Sequence, residues 1–175
     1  MYPEPPAVPV PPQQAVLGIH AFGHEAGACL VTEAGVWALS EERLSRKKYD
    51  SDFPRRAISW ALNQAGRGDI NEVDLVVFDL LEGAADKVVA SLAERGYRGP
   101  VRAIRHHQAH AAAAFFSSPF HRAAVLTIDA GGSREGEKGP GMEALPAPGV
   151  DSNWREVQSV WLGSGARMRL LQRSV

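Results

Sequence analysis

Short apolar runs separated by turn residues open the folded part of the chain. Val16, Leu17 and Ile19 form the first, Ala28 to Val31 the second and Val36 to Leu39 the third; Gly23 lies between the first two and Glu33-Ala34-Gly35 between the second and third. Runs of this length with turn residues between them predict three strands. The polar stretch 43–52 (RLSRKKYDSD) predicts a basic loop. It ends where Ser51 or Asp52 can cap a helix that has Pro54 in its first turn. Ile58, Ala61, Leu62 and Ala65 share one face of that helix, and Gly66 suits a left-handed stop.

From there strands and helices alternate. Val73 to Asp79 (VDLVVFD) predicts a buried strand, Asp86 to Arg95 a helix, and Val101 to Ile104 a further strand. A His/Ala-rich helix is expected from near His106, then a strand from Ala123 to Ile128 and a glycine-rich loop from Gly131 to about Gly149. Two weaker strands are expected near Val157–Leu162 and Met168–Gln172. The order β-β-β-α-β-α-β-α-β predicts an α/β layer with a mixed sheet flanked by helices. Residues 1–14 carry Pro3, Pro5, Pro6, Pro9, Pro11 and Pro12, a composition that favours extended polyproline conformations, and are read as a disordered tail before a folded unit spanning 15–175.

Composition narrows the function. Nineteen Lys plus Arg against twenty Asp plus Glu give a formal charge of −1, which argues against nucleic acid or an anionic membrane as partner. The single Cys29 rules out a disulfide framework or a cysteine-rich zinc site. No apolar stretch approaches the ~20 residues of a membrane helix, so a cytoplasmic protein is expected.

Four places carry candidate chemistry. In HHQAH (106–110), His106 and His110 are four apart and lie on one helical face, the geometry two imidazoles need to share a metal ion; His107 points elsewhere. Spacing alone fits ordinary hydrogen-bonded histidines equally well. Asp129 ends an apolar strand in LTIDAGG, where Gly131 and Gly132 let backbone approach a bound group; a carboxylate beside two imidazoles suits iron, zinc or manganese. His24, in the turn GHEAG, has the chemistry of a general base for a hydroxyl nucleophile. Arg46, Lys47 and Lys48 follow the third strand and could bind phosphate oxygens, although such charge runs are usually solvated.

Four blocks in this order resemble the nodulation and antibiotic-tailoring carbamoyltransferases, the family of the tobramycin carbamoyltransferase: VLGIHAFGHEAGACLV, LSEERLSRKKYDSDFPRRAISWAL, HHQAHAAAAFFSSPF and AAVLTIDAGG. The resemblance implies one lobe of the actin and sugar-kinase superfold. It also implies an enzyme that makes carbamoyl-adenylate from ATP and carbamoyl phosphate and passes the carbamoyl group to a hydroxyl of a natural product or sugar. Position by position, it implies His106, His110 and Asp129 as ligands of a divalent metal, iron before zinc or manganese. His24 becomes the base, and Lys47 or Lys48 faces the adenylate. The same resemblance implies that a second lobe and an adenylate-forming domain complete the site, on a separate chain if the enzyme is split, so that this chain alone is inactive.

Departures from the family pattern are concrete. Glu25 and Gly27 stand where relatives commonly have Asp and Ser, Tyr49 replaces a frequent histidine, and the loop after Gly132 lacks the usual tryptophan and threonine residues. Alternatives within the superfold are a tRNA threonylcarbamoyl or hydrogenase-maturation carbamoyltransferase lobe. From another class, the alternative is a non-catalytic remnant or binding lobe.

Overall fold

The computed structural model describes residues 14–81, 83–134, 139–142 and 155–174. The tail expected over 1–14, apart from Gln14, and most of the glycine-rich loop after Arg134 lie outside the described residues. Three strands, β1 (Val16–His20), β2 (Gly27–Thr32) and β3 (Gly35–Ser40), form an antiparallel meander. On the other side of β1, β4 (Leu75–Leu80) and β5 (Val101–Arg105) add in parallel, giving the order β3-β2-β1-β4-β5. Helices α2 (Arg55–Gln64) and α3 (Ala84–Glu94) precede β4 and β5. A parallel pair needs such a crossover, which explains why helices appear only after the meander.

The core is formed by alternate positions of the strands and one face of the helices. Leu17, Ile19, Leu30, Val76, Phe78 and Leu80 are buried from the sheet, and Ala57, Ile58, Ala61 and Leu62 from α2. The face read from the spacing is thus the face that packs. Gly66 adopts φ +70°, and the Arg67 N–H donates to Leu62 O at 2.9 Å, closing the helix as expected.

Two local expectations are corrected. The stretch from residue 43 is not wholly loop: Glu41–Ser45 forms the short helix α1. The N-cap of α2 is Pro54, not Ser51 or Asp52. Its first N–H groups are satisfied from a distance, because the buried Glu41 carboxylate accepts from Arg56 N at 3.2 Å and Ala57 N at 2.8 Å. An acidic side chain there also complements the positive end of the helix.

After α4 (His106–Phe116), the chain leaves this sheet. β6 (Arg122–Ile128), β7 (Gln158–Ser164) and β8 (Arg167–Ser174) form a second, three-stranded antiparallel sheet in the order β6-β7-β8. The two sheets meet at α4. Its Phe115 is buried against β7, where Gly163 leaves the ring room: a Cβ there would lie 2.5 Å from Phe115 Cδ2. The buried Arg105 at the end of β5 also donates to Glu156 Oε1, at 2.7 Å, just before β7. No helix among the described residues is long and apolar enough to cross a membrane.

Candidate metal centre

The parallel strands end together at one edge of the first sheet. Register pairs Ile19 of β1 with Phe78 of β4, and Asp79 with Ile104 of β5, so His20, Asp79 and the start of α4 lie side by side. In open α/β sheets this carboxyl-terminal edge is where ligands are held. Asp129, just beyond β6, reaches the same place from the second sheet.

Three of the expected residues converge here. His106 Nε2 lies 2.9 Å from Asp129 Oδ2 and 3.0 Å from His110 Nε2, while His110 Nε2 lies 3.4 Å from the same carboxylate oxygen. The two rings meet edge-on with centroids 4.5 Å apart. One ligand atom from each of His106, His110 and Asp129 falls within a single small cluster. Two imidazole nitrogens and a carboxylate oxygen form a donor set suited to iron, zinc or manganese. His110 and Asp129 are partly open to solvent, so an ion has a way in.

The helix start is held by the loop beyond β6. The His106 N–H donates to Ser133 Oγ at 2.9 Å, and that hydroxyl donates to Leu80 O at 2.7 Å. Ser133 is fully buried and serves as a cap from outside the helix. His107 turns away, as its place on the helix predicts: it is fully buried and its Nδ1 lies 3.0 Å from Ser159 Oγ.

Two residues of the cluster were not anticipated. Asp79 Oδ2 lies 2.6 Å from His106 Nδ1, and Asp79 Oδ1 lies 2.9 Å from His20 Nδ1. The signal that would have found Asp79 is the one that found Asp129, a carboxylate closing an apolar strand. His20 closes the first strand in the same way.

Protonation follows from these contacts. Burial pushes the Asp79 carboxyl up, but hydrogen bonds from His106 and His20 more than reverse this and hold it at about 2. Burial pushes His106 down, and the Asp79 and Asp129 carboxylates outweigh it, so its pKa is raised. Burial likewise opposes ionisation of Asp129, but the Ala130 N–H and His106 lower its pKa. For His107, burial prevails and its pKa is lowered.

The remaining expected residues lie apart from this cluster. His24 is exposed in the turn after β1, its ring centroid 6.1 Å from that of His20. Arg46 is exposed and ends α1 in the left-handed region at φ 61°. Lys47 pairs with Asp50 and Asp52, and Lys48 with Glu42. Gly132 is buried and its N–H donates to Glu156 O at 2.6 Å, so that donor is already engaged; Gly131 is half-buried beside it.

Comparison with known proteins bears on both fold and family. YeaZ from Pseudomonas aeruginosa superposes with a TM-score of 0.52 at 16% identity, over 93% of this chain and 67% of that one. An uncharacterized protein with similarity to peptidase YeaZ from the same organism gives 0.53 at 15% identity, over 91% and 64%. These define the class: the chain has the actin/sugar-kinase-like fold. Residues 15–98 match the family model described as Carbamoyltransferase N-terminus. Nodulation protein NolNO of Sinorhizobium fredii is 29% identical over 65% of this chain and 20% of its own length. An uncharacterized Synechocystis protein is 34% identical, over 65% of this chain and 25% of its own. An uncharacterized protein of Methanocaldococcus jannaschii is 33% identical, over 67% and 22%. The likeness to the N-terminal part of carbamoyltransferases covers residues 15–98, 84 of the 175 residues. The chain spans a quarter or less of the length of these curated relatives.

Proposed function

We propose that this chain carries the metal-binding half-site of an O-carbamoyltransferase that uses carbamoyl-adenylate, made from ATP and carbamoyl phosphate, to carbamoylate a hydroxyl of a natural product or sugar. The family match supports the reaction class. The observation that carries the site is the convergence of His106 Nε2, His110 Nε2 and Asp129 Oδ2 at the carboxyl edge of the parallel strands.

In this reading the acceptor hydroxyl oxygen attacks the carbamoyl carbon, the bond from that carbon to the AMP phosphate oxygen breaks, and His24 takes the hydroxyl proton. A divalent ion held by the three ligands would supply Lewis-acid orientation of the carbamoyl donor. Lys47 and Lys48 are cations for the phosphate of the departing AMP, once drawn from their present carboxylate partners. The rest of the nucleotide site belongs to parts of the complete enzyme, on this polypeptide or a partner, so the isolated half-site does not turn over.

Calorimetric titration with iron(II) and with zinc tests the site. One equivalent should bind to the wild-type chain and be lost in the His106→Ala/His110→Ala double variant. Absence of binding, or equal binding by both, overturns the ligand assignment. Carbon-13-labelled carbamoyl phosphate with ATP and a sugar acceptor tests the half-site reading: this chain alone should form no carbamate ester. Turnover by the isolated chain would show that its site is complete.

A further inference from the structure

Asp79 touches two histidines at once, and its chemistry leaves them little choice. Only 8% of the residue is exposed, and its contacts are 2.6 Å to His106 Nδ1 and 2.9 Å to His20 Nδ1. An ionised carboxylate only accepts hydrogen bonds, so each ring must carry its proton on Nδ1. On His106, Nε2 is then the nitrogen that faces Asp129 and His110. On His20, Nε2 faces Gly23, where a Cβ would come within 3.3 Å of it. Strand register keeps this arrangement rigid, because Asp79 sits on the middle one of three parallel neighbours.

We propose that Asp79 is a positioning residue that holds the Nδ1 proton of two imidazoles with one carboxylate, aiming His106 Nε2 at the metal position and His20 Nε2 at the Gly23 turn. A carboxylate behind a ligating histidine fixes its ring and raises its basicity. Sharing that carboxylate with His20 ties the metal side of the cluster to the turn that carries His24. The consequence for metal affinity rests on the metal reading above; the proton positions do not.

Nitrogen-15 labelling of the histidines tests the proton positions. The wild-type chain should show exchange-protected Nδ1–H protons on both His20 and His106, with or without zinc. Asp79→Asn offers one acceptor oxygen and one donor amide, so only one of the two rings should keep its Nδ1–H. Asp79→Ala should lose both, and its zinc affinity by calorimetry should fall by about 10- to 100-fold. Circular dichroism reports whether each variant folds. If the alanine variant unfolds, the near-isosteric asparagine variant still decides. Absence of the Nδ1–H from either histidine of the wild type, both Nδ1–H protons persisting in Asp79→Asn, or wild-type zinc affinity in a folded Asp79→Ala, overturns the proposal. If the wild type takes no zinc, the metal reading fails while the proton positions still test the role of Asp79.

Discussion

Glu41 shows how a single side chain can do the work of a local cap from far away in sequence. Its two carboxylate oxygens serve the N–H groups of Arg56 and Ala57, fifteen and sixteen residues on. Glu41→Gln replaces one acceptor by an amide that faces a donor, which should destabilise the chain by about 1–3 kcal/mol, the cost of an unsatisfied buried group. Urea unfolding measures it. Ser51 and Asp52 look like caps because the sequence shows only their type and nearness to the helix, whereas the cap in use depends on how β3 delivers α1 to α2. Asp79 was hidden for a related reason: a strand-end carboxylate acquires its meaning from neighbours 27 and 59 residues away. His106, His110 and Asp129 were legible because a helical repeat and a strand-to-glycine turn are local features. The pH dependence of stability belongs here as well. The Asp79 pKa, near 2, lies below the usual carboxylate value of about 3.9, so its stabilisation is present above that value and is lost as pH falls through 2. The raised His106 contributes fully below about 6.5 and loses its share as pH rises through its folded value. Both describe the same contacts from opposite partners. Melting temperature against pH should therefore be highest, for this cluster, in the mildly acidic range, and Asp79→Asn should flatten the acidic limb.

At the level of elements, Gly163 lets α4 bridge the two sheets. The Phe115 ring occupies the space where a Cβ would stand. Gly163→Ala must push α4 away from β7 and should cost about 1–3 kcal/mol, the usual range for overpacking. Because His106 and His110 ride on the same helix, zinc affinity should fall with it, and paired thermal melts and titrations check both. The strands and helices themselves were readable, since period-two and helical spacing are written in neighbouring residues. Division of the strands into two sheets was not. Nothing in Arg122–Ile128 distinguishes a strand that would continue the first sheet from one that starts another; the choice is made by pairing with Gln158–Ser164 across a long intervening segment.

Across the whole molecule, the second sheet is covered unevenly. Its inner face meets α4, while Leu126 and Ile128 on β6 are 56% and 72% exposed. β6 is the outer strand of the order β6-β7-β8, so among the described residues its far edge has no strand beside it. Exposed apolar side chains on an outer strand favour association. The chain alone should self-associate as its concentration rises, and Leu126→Lys/Ile128→Lys should suppress this in sedimentation velocity while leaving zinc uptake intact. If the double variant associates like the wild type, the contact lies elsewhere.

The crossing of the cluster by both sheets also sets a clock for folding. His20, Asp79, His106 and Asp129 come from four separate stretches of chain, and none of their contacts closes within a single hairpin or helix. Long closures of this kind are slow, because chain entropy is lost before the contact rewards it. The meander can zip early, but the histidine cluster must wait for the parallel pair β1–β4 and for the docking of α4 on β7. Its imidazole signals would therefore be among the last to reach their native positions during refolding, and would time the arrival of the second sheet.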